Sequence, residues 1–498
     1  MMKKQYVLTE RAHFMCPNMH FGMLMEIEKE FIEEKVRETL GRMAEAHPFL
    51  KSLIAYEKGT DKLYYKVTEH SQVSCLIKED IATLWEDYSK ASEQDWNVFE
   101  NGMLKVYVYP KKQEMTLLFI AHHLLVDGRG LLELVQEFAN DYVRNIMPNY
   151  VEEQLVESIH DLPEKSSLAG ISKLLIKRAN MQWKKENQKV SYECYQSFVE
   201  EYSRSHKVEY RTYELSKDEV GQMGMLCKEN GFTMNDLLMA QMYLKTRTNK
   251  IIIAADVRHT LACYKAGVLG NYSTAMGIVC KTKTTDIVQK AKEVHKQVQK
   301  HKNKNRSLML VLACYLEINP TLLDAAAISV LGGFESKAGS FVGGGMFGFS
   351  NPSSYSITNL GKVENHNIKS IMFIPPASPA AKLTLGVVTL NGQAADLLAT
   401  CAICLPIFLC KLRVPRPILL PRTKFARSRC RPKGILLRVW DGTPIQDPIS
   451  YGTLAVWGPF VPRSLSTASA KSVWWFLATP RGAHRQTSIT LPKCFTAK

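Results

Sequence analysis

Nowhere in this chain is there an apolar run long enough to cross a bilayer. The longest, Leu397 to Cys410, is 14 residues, short of the roughly 20 that a membrane helix requires. The opening MMKKQYVLTERAHF has two lysines but no apolar core, so no secretory signal is read there and a cytoplasmic location is expected. Cysteine lacks any framework spacing: seven of the 12 are scattered over residues 16 to 314. In such a setting they are expected to be reduced, buried and small-hydrophobe-like. The one C-x-x-C, Cys401 to Cys404, has no second pair, which argues against zinc. Histidine is scarce, 13 in 498 residues, and glutamate is absent beyond residue 393.

That last absence marks a change of language. Residues 394–498 hold 10 Arg, 6 Lys and 3 Asp, a net +13, leaving only +3 of the chain's +16 for residues 1–393. A nearly neutral body offers no basic groove, so nucleic acid is not an expected partner. The same 105 residues contain 11 of the 21 prolines and 4 of the 7 tryptophans, without helical or strand periodicity. A basic interaction tail would be poor in Trp, Cys and Leu; this one is rich in them. It reads as an out-of-frame or foreign extension, an unstructured tail.

What is present in residues 1–393 is an α/β pattern long enough for more than one lobe. Ile32, Val36, Leu40 and Met43 recur at helical spacing up to Pro48. Leu104, Val106 and Val108 alternate with Lys105, Tyr107 and Tyr109 as in a half-buried strand, and Met115–Ala121 is a continuous apolar strand. Leu131, Val135, Phe138 and Tyr142 then stripe a helix. The organisation expected is 1–150 as a first lobe, 151–206 as a polar helical crossover, 207–393 as a second, incomplete lobe, and 394–498 as the tail. In the second lobe Phe232–Leu244 suits a helix capped at Thr233 or Asn235, and Lys250–Arg258 and Ser354–Val363 suit strands. The glycine-rich Val330–Phe349 is read as a mobile loop.

Between the apolar strand and its helix stands "FIAHHLLVDGRG", residues 119–130. Neighbouring strand residues face opposite ways, so His122 and His123 do not suit a shared metal ion. One ring enters the core, the other a crevice outside the sheet. A crevice histidine titrates close enough to neutrality for general-base work. Asp127 would fix that ring or pair with a cation, and Gly128 would permit the backbone bend and a close approach of substrate. A satisfied core histidine before an ordinary Asp-Gly turn is the competing reading. Four specified positions within seven, at a strand-to-helix junction, favour a site.

H-H-x-x-x-D-G with these flanks resembles the signature of the chloramphenicol acetyltransferase-like superfamily, which includes condensation domains of nonribosomal peptide synthetases and CoA-dependent alcohol acyltransferases. "EAHPFLKSLI", "FTMNDLLMA", "ADVRHT…GVLGNYSTAM" and "SITNLGKV" follow the family's order over residues 5–393. The resemblance implies two such lobes forming a pseudo-dimer with a channel between them. It implies acyl transfer from a thioester to an alcohol or amine, with His123 as the base. Asp127, the second catalytic candidate, would be structural and bonded to Arg258. His122 and Gly128 would support the site, and Ser356, Thr358 or Asn359 would face the oxyanion or the channel. No metal and no bound cofactor are implied; the co-substrate would be acyl-CoA or a thioester on a carrier protein. "VLGGFES" is only superficially like a carrier's L-G-G-x-S. A stand-alone acyltransferase is the preferred reading, with a stand-alone condensation domain or a truncated inactive homologue as the alternatives.

Overall fold

The computed structural model describes residues 3–93, 96–349, 354–391 and 397–404, all within one compact unit. In chain order the strands are β1 (His20–Ile27), β2 (Ser52–Tyr56), β3 (Leu63–Val67), β4 (Ser74–Ile77), β5 (Leu104–Pro110), β6 (Met115–His122) and β7 (Val208–Leu215). They continue as β8 (Lys250–Asp256), β9 (Ser273–Val279), β10 (Ser354–Val363), β11 (Ser370–Ile374), β12 (Ala381–Leu390) and β13 (Leu397–Cys404). Two mixed sheets organise them, with orders β11-β1-β6-β5-β4 and β7-β13-β12-β10-β8-β9, beside a small β2-β3 hairpin.

β6 is apolar throughout because it is covered twice. All eight of its residues are buried. On one face Phe119 meets Phe138 of the helix Gly128–Arg144 edge-on at 5.5 Å. On the other, Leu118 and Ile120 pack with Leu84 and Tyr88 of the helix Leu84–Glu93. Full burial of each such side chain contributes about 1.5–3 kcal/mol, which fixes where β6 ends and the His-His step begins. Leu131, Val135, Phe138 and Tyr142 are all fully buried. The helix Glu33–Ala46 buries Val36, Leu40 and Met43, whereas Ile32 is its N-cap and half exposed. Thr233, not Asn235, caps the helix Met234–Thr246, in a reciprocal box with Asp236.

Three sequence expectations need correction. First, the second half of the chain lends a strand to the first sheet: β11 pairs antiparallel with β1 at its edge. The range 207–393 is therefore not one self-contained lobe. Second, the six-stranded sheet does not stop at residue 393. β13 pairs antiparallel with both β12 and β7. Its continuous apolar run lacks the alternation expected of a half-buried strand and was misread as the start of the tail. The rest of the expected tail, 405–498, lies outside the described residues.

Third, Val330–Phe349 is not a loop but largely helical, with a turn Lys337–Ser340 followed by a π-helical turn Phe341–Met346. Its glycines permit close approach. A Cβ on Gly343 would stand 1.9 Å from the Ala326 carbonyl oxygen of the helix Pro320–Val330. Gly343→Ala should therefore force those helices apart and destabilise the protein by about 1–3 kcal/mol. A urea midpoint equal to the parent's would show that the contact is dispensable.

No single helix among the described residues is long and apolar enough to cross a membrane. One bent pair, Leu310–Glu317 and Pro320–Val330, passes a composition test but meets at 110°, and eight residues of its second helix are buried.

Candidate active site at the His-His-Asp-Gly junction

β6 ends at His122, and the chain turns through His123 to Val126 before Asp127 caps the next helix. The two histidine rings diverge. His122 shares the face of its β1 partner His20, which itself stacks on Trp96. The His122 ring lies 5.8 Å from the Trp96 ring, and its Nδ1 accepts from the Leu124 amide at 3.1 Å. His123 joins the opposite face, beside Phe21 at 4.9 Å, and its ring stacks on His13 at 4.4 Å with 15° between planes. Its amide donates to the Met19 carbonyl. Phe21 and His13 thus hold the ring from two directions.

Nδ1 of His123 has the Asn271 side-chain nitrogen 3.3 Å away, a long contact for a hydrogen bond. The Asn271 oxygen accepts from the Ser273 hydroxyl at 2.9 Å. No hydrogen bond from a described residue occupies Nε2.

Asp127 ties the two halves of the molecule together. One carboxylate oxygen accepts from the Gly130 amide at 2.8 Å, as an N-cap should, and from Arg258 Nη2 at 2.8 Å. The other accepts from the Tyr272 amide at 2.8 Å, and the Asp127 amide donates to Gly270. Arg258, 2% exposed, also reaches Glu133 at 3.1 Å and Asp256 at 2.9 Å. This is a buried ion pair, not a surface one. With both oxygens engaged, Asp127 has no lone pair facing a substrate; it acts by position and by its field on His123.

The other expected residues fare differently. Gly128 does not floor an open channel. A Cβ there would press on Leu360 and Phe373 at 3.1–3.2 Å, so the glycine serves packing between its helix and strands β10 and β11. The Ser356 hydroxyl donates to Thr384 at 2.7 Å, and the Asn359 carbonyl oxygen accepts from the Gly361 amide. Neither these two nor Thr358 is bonded to His123. Two surface hollows, one beside Arg42 and Asp141 and one along Lys173–Lys184, include none of these groups. Sequence reasoning missed His13 and Asn271. "GNYS" was visible as part of an ordered motif, and "TERAH" as a polar run wedged between apolar residues.

Burial governs the protonation of the site. It pulls His123 down to about 4, partly countered by Asp127, and His122 and His20 to about 3; His13 is likewise lowered. Unfolded, these imidazoles protonate near 6.5, so their contribution is intact above that pH and is lost as pH falls towards 4. Glu10 and Glu153, pushed up to about 7 by burial, act in the opposite sense, as does Asp324. The histidines outnumber them. Stability should fall by on the order of 1–3 kcal/mol per pH unit between pH 6 and 5. Urea midpoints that rise on acidification over that range would contradict these protonation states.

The family model of the condensation domain matches residues 18–256. No curated protein matches the sequence. The cyclization-docking bidomain of EpoB from Sorangium cellulosum is similar at 11% identity and a TM-score of 0.51, over 80% of this chain and 80% of that one. Polyketide synthase associated protein 5 from Mycobacterium tuberculosis is similar at 13% identity and a TM-score of 0.48, over 81% and 93%. The epimerization domain of the third module of tyrocidine synthetase B is similar at 15% and 0.47, over 80% and 88%. The likeness to the EpoB bidomain is one of fold.

Proposed function

Because the condensation-domain family model matches residues 18–256, we propose that this chain is an acyltransferase that moves an acyl group from a thioester to a hydroxyl or amine, with His123 as general base. The observation that carries this reading is the His123 ring, stacked on His13 and set against Phe21, with no hydrogen bond from a described residue at Nε2. The acceptor proton passes to Nε2 as its oxygen or nitrogen bonds the thioester carbonyl carbon. Collapse of the adduct breaks the C–S bond, and the departing thiolate takes the proton back.

The proposed donor is diffusible acyl-CoA, with no bound cofactor. The carrier-like "VLGGFES" supports a donor from outside the chain. Ser336 is 6% exposed, caps the turn Lys337–Ser340 and donates to Glu186 at 2.6 Å, so its hydroxyl cannot bear a prosthetic arm. The test offers acetyl-CoA, and separately an acyl-pantetheine carrier protein, with a panel of alcohols and amines. Acceptor-dependent thiol release from acetyl-CoA is expected. Release from the carrier alone would move the donor to a partner protein, and release from neither would end the reading.

A further inference from the structure

Among the described residues, His13 is the one polar side chain stacked on the proposed base, and nothing so far gives it a task. It ends the 3₁₀ turn Thr9–His13, which is fastened to the far half of the chain by a buried bidentate pair. Arg11 Nε and Nη2 meet the Asp324 carboxylate of the helix Pro320–Val330 at 2.6 and 2.5 Å. The ring is presented rigidly: His123 on its face at 4.4 Å, Tyr315 edge-on at 6.5 Å. No hydrogen bond from a described residue engages its nitrogens, and the residue is only partly buried.

We propose that His13 is a further catalytic residue, whose ring N–H donates to the oxyanion of the tetrahedral adduct while His123 holds the acceptor proton. The inference rests on the acyltransferase reading above and supplies a donor in contact with His123, which Ser356, its hydroxyl given to Thr384, does not. The geometry is that of two near-parallel rings in contact, their planes about 3.5 Å apart. An acceptor bonded to Nε2 lies in the plane of His123, about 2.8 Å beyond it. An adduct whose oxygen stands off that plane on the His13 side would present its oxyanion to the edge of that ring. The electrons balance: the C=O π pair becomes the oxyanion lone pair that accepts the His13 N–H, and it reforms C=O as the thiolate leaves. His13 must stay neutral, since a second positive charge against protonated His123 would oppose the step. Burial lowers it, and so do His123 and His122; Tyr315, also facing it, is neutral.

His13→Phe keeps the stacked ring and removes the N–H. With the whole chain and acetyl-CoA it should lower kcat by about 10²–10³-fold, at an unchanged KM for the thioester and an unchanged melting midpoint. His13→Gln, which restores an N–H, should recover at least about tenfold of that loss. His13→Phe within about threefold of the parent would overturn the proposal. Imidazole ¹⁵N resonances give an answer that does not depend on turnover: His13 should remain neutral from about pH 5 to 8, and titration near its ordinary 6.5 would also overturn it. If the parent itself releases no thiol, the acyltransferase reading fails separately.

Discussion

His123→Ala should reduce kcat for acyl transfer by about 10²–10⁴-fold while leaving thioester affinity within about a factor of two. An alcohol is a poor nucleophile at neutral pH, and the thioester is already activated, so the chemistry waits on removal of one proton. With the His123 pKa drawn down to about 4, only about one ring in a thousand is charged at pH 7. Burial thus trades basicity for constant availability. The acid limb of kcat/KM should lie near pH 4, not near 6.5, with activity full above it and lost as the ring protonates. His122→Ala should act instead on stability, because that ring accepts the Leu124 amide inside the core. An active His123→Ala would remove the base from the account.

Asp127→Ala should destabilise the fold by about 3–5 kcal/mol, because it leaves the Arg258 guanidinium buried with its closest counter-charge gone. The same change uncaps the helix Gly128–Arg144 and orphans the Tyr272 amide. Since Asp127 holds the 270–272 segment, and Asn271 adjoins His123, activity should fall along with the melting midpoint. Asp127→Asn separates the effects: it can keep the cap while losing the charge, so its stability should lie between those of parent and alanine variant. A parent-like midpoint for Asp127→Ala would mean that the knot holds nothing together.

These two residues were legible in the sequence because their spacing is short. A strand, a turn and a helix start are local events, and period-two and 3.6-residue patterns report them. The pairing of Asp127 with Arg258 spans 131 positions and came only through family resemblance. His13 could not be read at all. It sits 110 positions from His123, and a lone histidine in a polar run carries no periodicity. β13 and the helical 341–346 turn were misread for a related reason: a continuous apolar run carries no period-two signal, and glycine marks close packing as readily as mobility. Long-range packing sets those outcomes.

The most direct test of the central claim follows the acyl group itself. The intact chain is given acetyl-CoA carrying an isotopically labelled acyl group together with an acceptor, and both acceptor and protein are weighed by mass spectrometry. A base that activates the acceptor for direct attack predicts the labelled acyl mass on the acceptor and none on the protein at any time. Label on the protein, or free labelled acid with an unchanged acceptor, would contradict it.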